Sequence, residues 1–270
     1  MTDPQQLEVY REKLISLCQE VSDFIKGQLN QVSSADVETK DMNSLVSYVD
    51  KEAEKMIVSA LSVLTPEAGF VTEEDTIDQP DKKQVWIVDP LDGTTNFLHK
   101  IPHFSISIAL MEEEKIILGI VYEVMLDIPY TAIIGQGAWM GKQPIKVRDN
   151  NDMAQAIVIT GFPYRRGLDV DASLAVLKYC VMHCRGVRRL GSAALDLAYV
   201  AAGKIDIYYE NALNIWDIAA GSLLITEAGG RVTDYIGSDN YLKSGRIISS
   251  NGHLHAEIQA AIIKAHGRIV

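Results

Sequence analysis

The stretch from residue 85 to residue 97 carries the densest group of side chains that could do chemistry. An apolar run ends there in Asp89, Pro90 stiffens the turn that follows, and Asp92 comes three residues after the first acid. Carboxylate oxygens are preferred ligands of hard cations such as Mg²⁺, which binds through a few acids together with the phosphate of a substrate. Two acids at the end of one strand can therefore hold adjacent cations, with the carbonyl of Leu91 as a further ligand.

The residues directly after this turn have the character of a phosphate-binding segment. Gly93 lets the backbone come close to a ligand, and the hydroxyls of Thr94 and Thr95 can orient water or phosphate. The free amide groups of a short helix that begins here would suit a phosphate oxygen. A plainer interpretation also fits, in which Asp-Pro-x-Asp-Gly is a surface turn and Asp92 caps the helix.

Three further acids could join this group. Glu73 and Glu74 end a strand-like segment and would meet Asp89 if the two strands are neighbours, although a solvated acidic turn explains the same pair. Asp217 begins a helix that is apolar nearly all round, where the helix dipole alone would favour an acid. Like charges about 4 Å apart repel by about 4 kcal/mol per pair at an effective dielectric constant of roughly 20. If these acids converge, the cluster therefore requires cations.

Hydrophobic periodicity predicts the elements that position the acids. In the first half it indicates a long amphipathic helix over Leu7–Leu29, a polar loop over Gln31–Tyr48, and a second helix from about Asp50 to Leu64. Alternating apolar residues then predict strands at Gly69–Thr72, Val85–Val88, Phe104–Ile108 and Ile116–Tyr122, with strand-like segments continuing through Ile134.

The second half of the chain alternates helices and strands. Helices are predicted at Asp171–His183, Ser192–Ala202, Ile218–Ala228 and His255–Ala265, and strands at Ile205–Tyr209, Arg231–Thr233 and Ile247–Ser249. Gly229 follows one of these helices, where a left-handed C-terminal cap is expected. The change of pattern near Asn150–Asp152 predicts two layered lobes. Residues 1–150 would form an α+β lobe with the metal-binding motif, and residues 151–270 an α/β lobe that completes the metal and substrate site.

Composition limits the class of function. The 270 residues include 36 acidic and 25 basic side chains, a net charge of −11, which argues against a non-specific nucleic-acid binder. The three cysteines, Cys18, Cys180 and Cys184, lack Cys-x-x-Cys spacing and cannot form a closed disulfide framework. We expect His253 and His255 to lie on a solvated face. Because no apolar run approaches the roughly 20 residues of a membrane span and the N-terminus is unlike a signal peptide, we expect a soluble, cytoplasmic protein with no membrane partner.

Four segments occur together in an order and spacing known from one family. They are Glu73-Glu74, Asp89 to Phe97, Gly191 to Asp196, and Trp216 to Gly221 followed by Glu227 to Gly230. In these segments the chain resembles the inositol monophosphatase family of metal-dependent phosphatases, and the resemblance covers nearly the whole chain. It implies a layered α-β-α-β-α sandwich of the inositol monophosphatase and fructose-1,6-bisphosphatase type. It also implies hydrolysis of inositol monophosphate, or a similar small polyol or sugar phosphate, by metal-activated water.

The resemblance implies a set of metal ligands. Glu73, Asp89 and the Leu91 carbonyl would hold a first Mg²⁺, and Asp89, Asp92 and Asp217 would hold a second. A third, looser ion would share Glu73, so two or three ions are expected. Members of this family are commonly inhibited by Li⁺ and often form homodimers, and we expect both properties here.

The resemblance also implies substrate contacts and catalytic roles. Gly93 and Thr94 would contact the phosphate, and Glu210 would contact substrate hydroxyls together with the backbone of Gly191, Ser192 and Ala193. Glu73 and Thr94 would position the attacking water. The family's acid and lysine upstream of the metals correspond to Asp50, a further catalytic candidate, and Lys40. No Ser, Cys or His occurs in a recognisable nucleophilic setting, so no covalent phosphoenzyme is expected.

The identity of the substrate has alternatives. Residues 211–215 lack what is typical of the animal inositol enzymes, whereas Gly93-Thr94-Thr95-Asn96-Phe97 favours the inositol branch over the related nucleotide phosphatases. Fructose 1,6-bisphosphate and 3′-phosphoadenosine 5′-phosphate are the alternative substrates. A different class of function is a non-catalytic protein that binds a phosphorylated ligand on the same scaffold.

Overall fold

The secondary structure consists of helices and strands that alternate irregularly along the chain. The computed structural model describes residues 2–31, 37–41, 44–74, 77, 79, 82–162 and 170–267, with only the backbone for residues 37–41 and 44–47. Its helices are α1 Pro4–Gln28, α2 Tyr48–Leu64, α3 Thr94–Leu98, α4 Val170–His183, α5 Ala193–Ala201, α6 Ile215–Glu227, α7 Tyr241–Ser244 and α8 His255–His266.

The strands form two large sheets and one hairpin. The hairpin pairs β1 Val37–Asp41 with β2 Ser44–Ser47. The strands of the seven-stranded sheet lie in chain order: β3 Gly69–Thr72, β4 Gln84–Asp92, β5 Ser105–Glu112, β6 Lys115–Glu123, β7 Ile128–Ile133, β8 Gly137–Met140 and β9 Gln143–Ile145. The five-stranded sheet contains β10 Ile157–Thr160, β11 Gly186–Arg188, β12 Ile207–Glu210, β13 Arg231–Thr233 and β14 Ile247–Ser250, in the order β11-β10-β12-β14-β13.

The first layers are built on the two faces of the seven-stranded sheet. Successive side chains of a strand point to opposite faces, and β4 is buried on both. Trp86 and Val88 belong to one apolar core with the buried residues of α1 and α2. Val85 and Ile87 belong to a second core with α5 and α6. The sheet is therefore covered by a helix pair on each side.

The inner helix pair is itself enclosed by the second sheet. Residues from nearly every face of α5 and α6 are buried, as expected for helices between two sheets. Ile159, Tyr208 and Ile247 of the five-stranded sheet complete this core. The other face of that sheet packs on α4 and α8. The order of layers is α-β-α-β-α, which confirms the predicted fold class.

Two glycines let α6 pack closely on its neighbours. A methyl group at Gly119 of β6 would lie 3.0 Å from the carbonyl oxygen of Ala220 in α6. A methyl group at Gly221 would lie 2.5 Å from the side chain of Leu197 in α5. Larger residues at these two positions would push α6 away from the sheet and from α5, and would thereby move the first turn of α6.

Several sequence expectations differ from the structure. The segment predicted as a polar loop over Gln31–Tyr48 contains the hairpin β1–β2, whose sequence has no regular apolar alternation. The pattern does not predict strands β8 to β11, each of which is three or four residues long. Gly229 has the expected positive φ, of 85°. The division into lobes at residue 150 stays a prediction.

The expectation that His255 lies on a solvated face is wrong. His255 is fully buried, whereas the side chain of His253 is 55% exposed. Thr233 donates its hydroxyl hydrogen to the Asp234 carbonyl, so it accepts from Nε2 of His255 at 2.9 Å. Nδ1 then accepts from the hydroxyl of Ser250 at 2.9 Å. The ring is neutral, and burial lowers its pKa to about 4.

Among the residues that the structure describes, no helix combines the length and apolar character needed to cross a lipid bilayer.

Candidate active site

The acidic cluster is built first by the strand pair β3–β4. The two strands are parallel, so their carboxyl ends lie at the same edge of the sheet. Glu73 follows β3 directly, and its N–H donates to the Val88 carbonyl at 3.2 Å. The side chains of Glu73 and Asp89 are hydrogen-bonded to each other. The expected meeting of these two acids is present.

A bulge in β4 brings Asp89 and Asp92 together. Residues three apart in a regular strand point to opposite faces of the sheet. Asp89 pairs with Ser107 and Asp92 with Ser105, so β4 spans three residues where β5 spans two. The one extra residue, next to Pro90, reverses the alternation and turns both acids to the same side.

The first turn of α6 supplies the third acid of the cluster. Asp217 forms a capping box with Asn214, whose backbone N–H donates to Oδ2 of Asp217 at 2.6 Å. The side chain is therefore held in one orientation. One carboxylate oxygen from each of Asp89, Asp92 and Asp217 lies within 4.8 Å of the other two.

The cluster is strongly unfavourable for free carboxylates. Burial is the largest cause that raises the pKa of Glu73, Asp89 and Asp92, with contributions from neighbouring acids at Glu73 and Asp89. Burial and the nearby Asp92 raise the pKa of Asp217 to about 8. Asp89 is buried and Glu73, Asp92 and Asp217 are half-buried, and such a group of carboxylate oxygens that repel one another is a donor set that fits a hard cation.

The segment after the bulge packs against the start of α5. Gly93 has φ of 98°, and a methyl group there would lie 3.1 Å from the Gly191 carbonyl oxygen and 3.2 Å from that of His103. Asn96 donates to the carbonyls of His103 and Leu190 at 2.7 and 2.8 Å. Glycine suits position 93 because another residue would be strained at this φ and its Cβ would press on both segments.

The hydroxyl of Thr94 joins the cluster to α2. Its Oγ1 lies 3.0 Å from Oδ1 of Asp50 and 3.1 Å from the carbonyl of Leu91. Asp50 is 1% exposed and lies in the first turn of α2. Asp50 is thus placed beside Thr94 although 44 residues separate them. Lys40 lies among the residues whose side chains are not described.

The predicted substrate-side residues lie on the other flank of the cluster. Ser192 donates to Oδ2 of Asp92 at 2.5 Å, and the N–H of Ala194 donates to the same oxygen at 2.8 Å. This brings the Gly191–Ala193 backbone next to the acids. Glu210 is buried at the end of β12, where Tyr208 donates to it at 2.9 Å. Burial raises the pKa of Glu210 to about 8.

Glu54 also serves the cluster, although no motif in the sequence points to it. It is fully buried on α2, one turn after Asp50, and its Oε2 accepts the N–H of Glu74 at 2.8 Å. The bond holds the turn that carries Glu73. The signal that could have found it is an acid on the apolar face of the helix, between the buried Ala53 and Ile57.

Comparison with known proteins gives a consistent result. The model of the inositol monophosphatase family matches residues 6–268. An inositol-1-monophosphatase of Mesorhizobium japonicum is 40% identical over 242 residues, which are 89% of this chain and 90% of the relative. A protein of Pasteurella multocida named Nus factor SuhB is 38% identical over 220 residues, 81% of this chain and 82% of the relative. The solved structure of a Thermotoga maritima IMPase superposes with a TM-score of 0.88 at 32% identity, covering 95% of this chain and 98% of that one.

The match includes every segment that supplies the acidic cluster. Residues 6–268 contain the end of β3, the bulge of β4, the start of α5 and the first turn of α6. The similarity therefore extends over both sheets and over the residues that lie between them. The chain belongs to the inositol monophosphatase family, and it is a phosphatase.

Proposed function

We propose that the protein hydrolyses a small phosphomonoester, inositol monophosphate or a similar polyol or sugar phosphate, with Mg²⁺ as its metal. The observation that carries the proposal is the convergence of Asp89, Asp92 and Asp217, one oxygen of each lying within 4.8 Å of the others. The Thr94–Asp50 pair adjoins this cluster through the Leu91 carbonyl. Together they supply ligands for cations and a hydroxyl beside them.

The cluster divides into two sets of ligands. Glu73, Asp89 and the Leu91 carbonyl would hold one ion, Asp89, Asp92 and Asp217 would hold a second, and a third, looser ion would share Glu73. When bound, the ions lower the pKa of a water and stabilise negative charge on the leaving oxygen. Without them a phosphate dianion would be repelled by the cluster.

Thr94 orients the attacking water. Its single hydroxyl hydrogen is shared between the Asp50 carboxylate and the Leu91 carbonyl, so the lone pairs of Oγ1 are free to accept from a water. The buried Asp50 fixes the direction of this hydroxyl. Glu73 would help to position the same water, and no side chain forms a bond to phosphorus.

The substrate is held by backbone groups and by Glu210. Gly93 and Thr94 contribute amide groups to the phosphate. The Glu210 carboxylate accepts hydrogen bonds from the hydroxyls of the alcohol. Backbone groups of Gly191, Ser192 and Ala193 donate hydrogen bonds to these hydroxyls or accept them. The buried position of Glu210 favours a polyol, since each hydroxyl that pairs with it compensates its desolvation.

Inositol monophosphate is the first substrate to test. The relative from Mesorhizobium japonicum is named an inositol-1-monophosphatase, which supports this choice. Fructose 1,6-bisphosphate and 3′-phosphoadenosine 5′-phosphate are the alternatives, and inhibition by Li⁺ is expected. The name Nus factor belongs to other relatives, and the net charge of −11 supports a function without direct nucleic-acid binding. A cytoplasmic homodimer remains part of the proposal.

The test is phosphate release from the three esters at varied Mg²⁺, with and without a chelator. We expect Mg²⁺-dependent release that is fastest for inositol monophosphate. Asp92→Asn removes one ligand charge and should lower turnover at least about 100-fold. Asp149→Asn, at a side chain that is 99% exposed, is the matched control and should keep full activity. Folded wild-type protein that releases phosphate from none of the esters, or near-normal turnover in Asp92→Asn, would contradict the proposal.

A further inference from the structure

Two buried serines form a hydrogen-bond chain that ends on Asp92. Ser192 is 1% exposed and Ser105 is fully buried. The Ser192 hydroxyl lies 2.5 Å from Oδ2 of Asp92, and the Ser105 hydroxyl lies 3.1 Å from that of Ser192. A carboxylate can only accept, so the single hydrogen of Ser192 goes to Asp92 and Ser105 must be the donor to Ser192.

The position of each serine is fixed by an element of the fold. Ser105 is the β5 residue that pairs with Asp92 across the sheet. Ser192 is the N-cap of α5, and its hydroxyl accepts the N–H of Leu195 at 3.4 Å. One hydroxyl therefore caps α5 and holds Asp92 at the same time.

The chain determines which oxygen of Asp92 a cation can take. Oδ2 already accepts from Ser192 and from the N–H of Ala194, so both of its lone pairs are used. The other oxygen is then the one left for a cation shared with Asp89 and Asp217. With both donors fixed on rigid elements, the carboxylate cannot rotate away from the cluster.

We propose that Ser192, supported by Ser105, is a positioning residue that sets the affinity of the metal ion held by Asp92. This inference rests on the proposed function, because it assumes that Asp92 is a metal ligand. Loss of an outer hydrogen-bond partner of a metal ligand typically lowers metal affinity 10- to 100-fold. The Ser192 hydroxyl is buried and donates to Asp92, so its loss acts on the metal and not on a substrate hydroxyl.

The experiment compares Ser192→Ala, Ser192→Thr and Ser105→Ala with wild type. Ser222→Ala is the matched control, since it removes a buried hydroxyl of α6 that bonds to the Ala219 carbonyl at 2.9 Å and to Tyr241, and to none of the acids of the cluster. The Mg²⁺ concentration for half-saturation is read from the Mg²⁺-induced rise in Tm and, separately, from phosphate release. Substrate KM is measured at saturating Mg²⁺ for each variant.

In Ser192→Ala we expect half-saturation to rise at least about tenfold by both readouts, with substrate KM within about twofold of wild type. Ser192→Thr keeps the hydroxyl and should restore half-saturation to within about threefold. Ser105→Ala keeps the cap of α5 and should raise half-saturation about threefold, which tests the chain even if Ser192→Ala fails to fold. A merely structural role for Ser192 would lower the Tm of the metal-free protein and leave half-saturation unchanged.

The outcomes separate this inference from the proposed function. A wild-type protein with neither Mg²⁺-induced stabilisation nor phosphate release overturns both. A wild type that responds to Mg²⁺, together with folded Ser192→Ala and Ser105→Ala variants whose half-saturation equals that of wild type, overturns only the role of the serines. A raised substrate KM at unchanged half-saturation in Ser192→Ala would instead assign the hydroxyl to the substrate.

Discussion

Binding of Mg²⁺ to the acidic cluster should release protons. Burial and the nearby Asp92 raise the pKa of Asp217 to about 8. At pH 7 most metal-free molecules therefore carry a proton on this carboxyl. Burial also raises the pKa values of Glu73 and Asp89, which share a hydrogen bond. Because a cation requires deprotonated ligands, these protons must leave when the metal binds.

The raised pKa of Asp217 fixes the direction of the pH dependence. Below pH 8 protons compete with Mg²⁺, so the apparent affinity should rise about tenfold per pH unit for each proton released. The metal-free fold has the opposite dependence, since the folded pKa lies above the ordinary value of 3.8. The stability contributed by the protonated carboxyl is fully present below pH 3.8 and is lost as the pH rises through about 8.

Calorimetric titration with Mg²⁺ at pH 7, in two buffers of different ionisation enthalpy, counts the protons. We expect wild type to release about one proton or more per molecule. Asp217→Asn, titrated at higher Mg²⁺, should release about one proton fewer, and Asp149→Asn should match wild type. A heat of binding that is the same in both buffers would refute the reasoning. So would equal proton release by wild type and Asp217→Asn.

Three further outcomes are expected. Thr94→Val deletes the hydroxyl beside Asp50 and should lower kcat at least about 100-fold at saturating Mg²⁺. A variant that lost only Mg²⁺ affinity would contradict the proposal that this hydroxyl orients the attacking water. Glu54→Leu removes the acceptor of the Glu74 N–H and should raise the Mg²⁺ concentration for half-saturation at least about tenfold. Glu54→Gln keeps an acceptor and should restore the wild-type value. Equal half-saturation in the two variants would contradict a role for the Glu54–Glu74 hydrogen bond. The buried His255 should lower the free energy of unfolding by up to about 3 kcal/mol as the pH falls from 6.5 to 4, because its pKa is about 4 in the folded protein and 6.5 in the unfolded chain. Urea unfolding at several pH values should show this loss in wild type. The same dependence of the free energy of unfolding on pH in His255→Gln would contradict the assignment.

The helices could be predicted because apolar periodicity is a local signal, whereas the layered α-β-α-β-α fold is expected from the family resemblance. Helices α1 and α2 show it over many residues, and the apolar composition of α6 indicates a helix enclosed on all sides. The hairpin β1–β2 and the strands β8 to β11 could not be predicted in this way. Short strands are stabilised by their partners across the sheet, and pairing leaves no trace in the sequence of one strand.

The position of His255 shows why a helix end is harder to read than a helix middle. His255 is the first residue of α8, and only four residues separate it from the end of β14. Its side chain therefore turns beneath the helix, toward Thr233 and Ser250, and not to the solvent. Two residues before it, His253 is exposed. The pattern of polar and apolar residues over these three positions is too short to indicate which histidine is buried and which is exposed.

Glu73, Asp89 and Asp92 could be named from the sequence because they lie at the ends of apolar strands, whereas Asp217, in the first turn of a helix, is assigned to them as a metal ligand through the family resemblance. The residues that orient them could not, since their partners are distant in the chain. Glu54 and Glu74 are 20 residues apart, Ser105 and Ser192 are 87, and Asp92 and Ser192 are 100. Ser192 also has a sufficient local role as the N-cap of α5. A residue whose local role is already satisfied gives no reason to search for a second one, so only the three-dimensional arrangement can reveal that the same hydroxyl also holds Asp92.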